Sequence, residues 1–236
     1  MAKSPVEGVE RPQKQHREMA IITPREWRQI REYLESKGSW AVPAFTLLLT
    51  CGLRRSELVG LRWADLDLGR RLIHVQRSYH KLKGGQAVIR APKSSRGRRL
   101  VAFDHHTASI MTDHRQHCVE QAGMLRRSMA DDDYVFARQD GTPWPPDAYS
   151  QLWRRTMAAL GIKCRLHDLR HSSASLLIAA GADVKLISAR LGHASTAFTM
   201  DTYGHLLPGA QEEMAERLAR MLDAGSAVLP PVAAAG

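Results

Sequence analysis

Apolar residues recur along this chain with helical spacing at both ends and with strand composition in a short middle stretch. In TPREWRQIREYLESKG, Trp27, Ile30 and Leu34 share one helical face, the pattern of a helix half-buried against a core. Thr23 is placed to cap it, Pro24 suits its first turn, Glu26 completes a capping box and Gly38 ends it. Trp40 to Thr50 is apolar nearly all round, which predicts a buried helix with Pro43 tolerated near its start. A short helix is expected over Arg54 to Leu61, after Gly52.

The character then changes. Leu72 to Ser78 and Gln86 to Ala91 have strand composition, with Gly84-Gly85 between them as a turn, and Leu100 to Phe103 reads as a third strand after the basic turn PKSSRGRR. Helical patterns resume at Thr107 to Ala122 and at Ala148 to Leu160, where Gly161 is the stop; Arg138 to Asp147 is a loop. Leu166 to Ala180 is predicted helical, with Leu169, Leu176, Leu177 and Ala180 as its buried stripe and Gly181 as its end. Asp183 caps a helix running to Leu191, Gly192 follows, and helices over Thr196 to Tyr203 and Pro208 to Ala224 complete the pattern. The predicted class is mainly α with a small three-stranded antiparallel β-sheet. Residues 1–20 read as a flexible linker or arm, 21–224 as one domain and 225–236 as a flexible tail.

Composition narrows the partners. The chain has 236 residues, 44% of them hydrophobic, enough for a sizeable core. No apolar run approaches the roughly 18 residues of a membrane span, and the N-terminus lacks the apolar core of a signal peptide. Cys51, Cys118 and Cys164 are widely spaced and odd in number, so they form neither a disulfide framework nor a metal knuckle. The expectation is a cytoplasmic protein with reduced thiols and no membrane partner. The formal charge of +10 suggests a polyanionic partner, nucleic acid first; a basic surface with no specific role is the plainer alternative.

The candidate chemistry starts from HDLRH, residues 167 to 171. His167 and Arg170 lie about 60° apart around a helix axis, off the expected stripe, so both can face one exposed target. Taken alone they describe any solvated helix face. Arg54 follows Gly52, with Glu57 three residues on to orient its guanidinium; a forked, permanent cation can hold two phosphate oxygens, although a structural ion pair explains the same residues. Lys93 stands in a turn between strands, His193 follows Gly192 at a helix junction, and Tyr203 ends a short helix. A solvated lysine, a capping histidine and a packed tyrosine are the ordinary readings of each. His167 with His171, and His114 with His117, have spacings that metals use, but zinc needs three or four protein ligands and no Glu or Cys supports them, so neither metal nor cofactor is expected.

In the order Arg, Lys, His-x-x-Arg, Leu-Gly-His, Tyr, these residues form a pattern. The chain resembles the catalytic domain of tyrosine recombinases, the phage integrase family. The stretches that carry the resemblance are TCGLRRSELVGLRWADLDL, APKSSRGRRLVAF, HDLRHSSASLLIAAGADVKLISARLGH and TMDTYGHLLP, and it covers roughly residues 21–222. The resemblance implies a DNA strand-cleaving and rejoining enzyme that performs site-specific recombination, integration or excision, by transesterification without metal or ATP. Arg54 and Arg170 would clamp the scissile phosphate, and Tyr203 would be the nucleophile of a 3′-phosphotyrosyl intermediate. His167 would be the base or proton relay, Lys93 the acid for the leaving 5′-oxygen, His193 a phosphate hydrogen-bond donor and Glu57 the support of Arg54. Lys81 and Lys83 remain alternatives to Lys93.

The residue types suit that chemistry. Fixed cations stabilise the charge gathering on phosphate oxygens in the transition state more than they stabilise the substrate. A tyrosine with a pKa near 10 needs a base or a cationic field to attack at neutral pH. Family members carry a helical core-binding domain ahead of the catalytic one. Here the catalytic pattern begins near residue 21, so the expectation is a catalytic fragment with the N-terminal core-binding domain absent and with weakened site-specific affinity for double-stranded DNA. The helix Pro208 to Ala224, apolar at Met214, Leu218, Met221 and Leu222, either packs on its own domain or, as the resemblance implies, links a homo-tetramer on DNA. Two other readings stay open: a non-catalytic DNA-binding remnant, and a type IB topoisomerase-like enzyme that relaxes supercoils.

Overall fold

A computed structural model of the chain describes residues 19–81, 87–90, 97–193, 195–203, 215, 216, 219, 220 and 222. The expected arm up to residue 18, the Gly84-Gly85 turn, Lys83, Lys93, most of the last expected helix and the tail lie outside the described residues.

Helix α1 (Pro24–Ser36) starts at the capping box read from the sequence: Thr23 Oγ1 accepts from the Glu26 N–H, and the Glu26 carboxylate accepts from the Thr23 N–H. Its Ile30 and Leu34 are buried. Helix α2 (Val42–Thr50) is the centre of the larger core, with Ala44 through Leu49 all buried, as a helix apolar all round must be. Helix α3 (Arg55–Val59) follows. Helix α5 (Pro146–Leu160) lays Tyr149, Trp153 and Met157 into the same core. There the Trp153 ring meets Phe45 edge-on, with centroids 5.0 Å apart, and its indole N–H donates to the Cys164 carbonyl. Helix α4 (His105–Met124) begins at an Asp104 cap, two residues before the predicted start.

The strands are arranged differently from the expectation. The predicted strand Leu72 to Ser78 splits in two at Gln76-Arg77, giving β2 (Leu72–Val75) and β3 (Ser78–Lys81). The three-stranded antiparallel sheet has the order β1-β2-β5, with β1 (Leu66–Asp67) and β5 (Arg99–Ala102) as its outer strands. The second expected strand in chain order becomes β4 (Ala87–Arg90), which among the described residues pairs with β3 in a separate two-stranded sheet. In β2, Ile73 and Val75 are buried while His74 is exposed, the alternation of a sheet with one face on the core. In this register Arg99 opposes Val75.

Helices α6 (Asp168–Ala179), α7 (Val184–Leu191) and α8 (Thr196–Tyr203) enclose a second small cluster of Ala174, Ile178, Ile187, Leu191 and Tyr203. Asp183 caps α7 as expected. The predicted stripe of α6 needs correction: Leu169 is buried, but Leu176 and Leu177 are only half-buried and Ala180 is exposed. The buried residues of α6 are instead Asp168, Leu169, Arg170, Ser172, Ser173, Ala174, Ser175 and Ile178. Small residues let α6 approach closely, so burial there is decided by fit rather than by hydrophobicity. None of the described helices is long and apolar enough to cross a membrane.

Candidate active site

The site forms where the end of α2, the start of α3, the first turns of α6 and the end of α7 meet. Gly52 is the hinge of this arrangement. Its φ is +61°, and an added Cβ would collide with Leu191 Cδ2 and press on Ser173 Oγ, so only glycine fits. The turn aims the Gly52 carbonyl at Arg170, whose Nη1 donates to it at 2.5 Å. The Arg170 Nη2 donates to the Leu191 carbonyl. Arg170 is 5% exposed, so it lies among the buried positions of α6 rather than off them, where helical spacing alone places it. Burial and the neighbouring Arg54 pull its pKa down to about 9, so it remains a cation at neutral pH.

Arg54 is the more open of the two, with 40% of its side chain exposed. Its Nη2 donates to the Gly192 carbonyl at 3.0 Å and its Nη1 to Glu57 Oε1 at 2.8 Å. The two guanidiniums are therefore held on successive carbonyls, Leu191 and Gly192, at the end of α7. Glu57 is buried and also accepts the Arg54 backbone N–H. Burial alone would raise its carboxyl pKa, but hydrogen bonds and charge from Arg99, then Arg54, hold it below the usual carboxylate range.

Arg99 is a residue the sequence reading missed. Its Nη1 and Nη2 donate to the two Glu57 oxygens at 3.0 and 2.9 Å, and its Nε to the Arg190 carbonyl at 2.6 Å. Its signal was the basic run RGRR, but only strand pairing decides which of those arginines turns inward.

His193 follows Gly192, which is left-handed with φ +65°. Its Nδ1 lies 2.8 Å from Thr199 Oγ1. Burial and the charges of Arg170 and Arg54 push its pKa down to about 4, so the ring is neutral at pH 7. His167 is exposed at the N-terminal edge of α6, and its ring stands edge-on to that of His171 with centroids 5.1 Å apart. His171, read from sequence only as a possible metal partner of His167, instead meets Tyr203: its Nδ1 is 2.6 Å from the phenol oxygen. Tyr203 is 2% exposed. Burial pushes its pKa up to about 12 despite the opposing charge of Arg170.

Arg54, Glu57, Arg170, His193 and Tyr203 thus converge, with His167 at the edge. Lys93 and Lys83 are outside the described residues, and Lys81 ends β3. Among the described residues no group of three or more His, Cys, Asp and Glu is gathered as a metal site. His114, weighed as a metal ligand with His117, has its Nε2 within 2.8 Å of the Val135 carbonyl.

Solved structures of a transposon integrase and of a recombinase share this fold. The integrase of transposon Tn1549, solved with transposon right end DNA, superposes with a TM-score of 0.71 at 24% identity, covering 86% of this chain and 67% of that one. The XerA recombinase gives a TM-score of 0.62 at 23% identity over 88% of this chain and 66% of that one. The chain belongs to the phage integrase family, whose model matches residues 20–209. It is 30% identical to the ICEBs1 integrase of Bacillus subtilis (strain 168), over 94% of this chain and 60% of the relative. With a XerC-like tyrosine recombinase of Caldanaerobacter subterraneus subsp. tengcongensis it shares 26% identity, over 85% of this chain and 54% of the relative. The chain thus spans about half to three-fifths of the length of these curated relatives.

Proposed function

We propose that this chain carries out the strand cleavage and rejoining of site-specific DNA recombination, through a 3′-phosphotyrosyl intermediate on Tyr203. The observation that carries the reading is the pair of guanidiniums, Arg54 and Arg170, anchored on neighbouring carbonyls of Gly52, Leu191 and Gly192, with Tyr203 in the same α6–α8 unit. Two fixed cations beside a nucleophile suit a phosphodiester, whose transition state gathers charge on its oxygens. Arg170 and Arg54 hold the non-bridging oxygens, neutral His193 donates a hydrogen bond to the phosphate, and Glu57 keeps Arg54 in place. His167, at the open edge, serves the proton path, and Lys93 protonates the leaving 5′-oxygen.

The seat of Tyr203 against His171 of its own chain favours cleavage in cis. Its burial means that DNA docking has to bring the phenol and the phosphate together by a local shift of α8. The partner is double-stranded DNA, consistent with the charge of +10, and the setting is the cytoplasm. Pro208 to Ala224 provides the link between subunits of a tetramer on that DNA.

The test is a nicked suicide duplex carrying a candidate attachment site, resolved on a denaturing gel at low salt. A covalent band with wild type, absent in Tyr203→Phe although DNA binding persists, is the expected result. Binding without any adduct, on duplexes that a full-length relative cleaves, would support a non-catalytic remnant. Plasmid relaxation without sequence preference would support a topoisomerase.

A further inference from the structure

The nucleophile has one close polar partner among the described residues, and it is not the histidine of the His-x-x-Arg pair. His171 projects from α6 one turn after His167, and its Nδ1 reaches the Tyr203 phenol at 2.6 Å, across 32 residues of sequence. The rings meet at a 50° tilt with centroids 5.8 Å apart. His193 is turned to Thr199 through its own Nδ1. Resting on the reading of Tyr203 as nucleophile, we infer that His171 is a catalytic residue, the immediate proton acceptor of the Tyr203 phenol, with His167 next in line toward solvent.

The chemistry requires such a group. A phenol buried this deeply resists ionisation, so its proton has to leave as the new bond forms rather than beforehand. His171 is half-buried. It faces His167 and Arg170 on its own helix, Asp168 and Arg165 at the start of that helix, Tyr203 from α8 and His193 from the α7–α8 junction. Burial first, then the charge of His167, lowers its pKa below the ordinary histidine value. The ring is therefore neutral at pH 7, with one nitrogen free to accept a proton.

In the forward step the Tyr203 oxygen bonds to phosphorus while the bond from phosphorus to the 5′-oxygen breaks. The phenol proton passes to His171 Nδ1, leaving an imidazolium, and the departing 5′-oxygen takes a proton from a separate acid, proposed above as Lys93. On rejoining, a 5′-hydroxyl oxygen bonds to phosphorus and gives its proton to that same separate group, now acting as a base, while the bond between Tyr203 and phosphorus breaks and the imidazolium returns its proton to the phenol oxygen.

Two measurements test this. The first needs no DNA: nitrogen-15 NMR of the imidazoles in the free protein. At neutral pH His171 should carry its proton on Nε2, with Nδ1 bare, and Tyr203→Phe should shift the Nδ1 resonance. A protonated Nδ1, or a resonance indifferent to Tyr203→Phe, overturns the assignment even if the protein proves not to cleave DNA.

The second is single-turnover covalent attachment to nicked DNA. His171→Ala should slow attachment at pH 7 by about 10²-fold or more, with DNA affinity kept and the deficit shrinking as pH rises. His171→Asn can keep a hydrogen bond to the phenol but cannot take its proton. If it attaches DNA at a near wild-type rate, His171 only positions Tyr203 and the proton-acceptor role is wrong. Absence of an adduct with wild type would instead count against the recombinase reading itself, and the NMR result would still decide the state of His171.

Discussion

Replacing Arg99 with methionine removes one of the two cations that hold the buried Glu57 carboxylate. The side chains of Arg99 and Glu57 are 6% and 5% exposed, joined by two hydrogen bonds of 3.0 and 2.9 Å. Breaking such a pair from one side costs about 3–5 kcal/mol, because a buried charge loses its partner. At roughly 2–4 °C per kcal/mol for a domain of this size, Tm should fall by roughly 6–20 °C. Glu57 also fixes the direction of Arg54, so covalent attachment to DNA should slow as well.

The assay is urea or thermal unfolding of Arg99→Met, Glu57→Gln and the double variant. Because the two side chains act as one unit, the double variant should lose less stability than the sum of the singles, by about 1 kcal/mol or more. The carboxyl of Glu57 is held below its ordinary pKa, so its stabilising contribution is present above the unfolded value and is lost as pH falls through the folded one. Arg99→Met raises the folded value, and acid unfolding should begin at higher pH. A single variant costing less than about 1 kcal/mol, together with additive behaviour in the cycle, would refute the idea that this pair holds the site.

Arg170→Ala should slow covalent attachment by about 10²- to 10³-fold, the loss expected for a group that stabilises transition-state oxygen charge; near-normal cleavage on the suicide duplex would rule out the clamp. Gly52→Ala should cost about 1–3 kcal/mol in urea unfolding, from a left-handed backbone and an overpacked contact with Leu191, and cleavage should fall with it; an unchanged denaturation midpoint would contradict this. A DNA substrate with a 5′-bridging sulfur needs no protonation of its leaving group, so it should restore the activity lost in Lys93→Ala. Persistent inactivity on that substrate would remove Lys93 as the acid and turn attention to Lys81 or Lys83.

Much of the helical frame could be read from the sequence because it is set locally. The capping box at Thr23 and Glu26, the Asp183 cap and the glycine stops at 161 and 192 fix their helix ends through neighbours a few residues away. The order of Arg54, Lys93, His167, Arg170, His193 and Tyr203 was likewise enough to name the family. The strand arrangement was not legible. Gln76-Arg77 interrupts what reads as one strand, and strand composition does not say which strand pairs with which.

Only the tertiary structure decided what each of these groups touches. Arg170 looks like a surface residue on a helical wheel, yet the small residues of α6 draw it against Gly52 and Leu191. Arg99 becomes the partner of Glu57 because β5 pairs with β2 in the register that opposes Arg99 to Val75. His171 becomes the partner of Tyr203 because α8 folds back onto α6. Periodicity and capping are properties of a segment, whereas hydrogen bonds between residues far apart in sequence, and the burial that shifts their protons, exist only once those segments are packed.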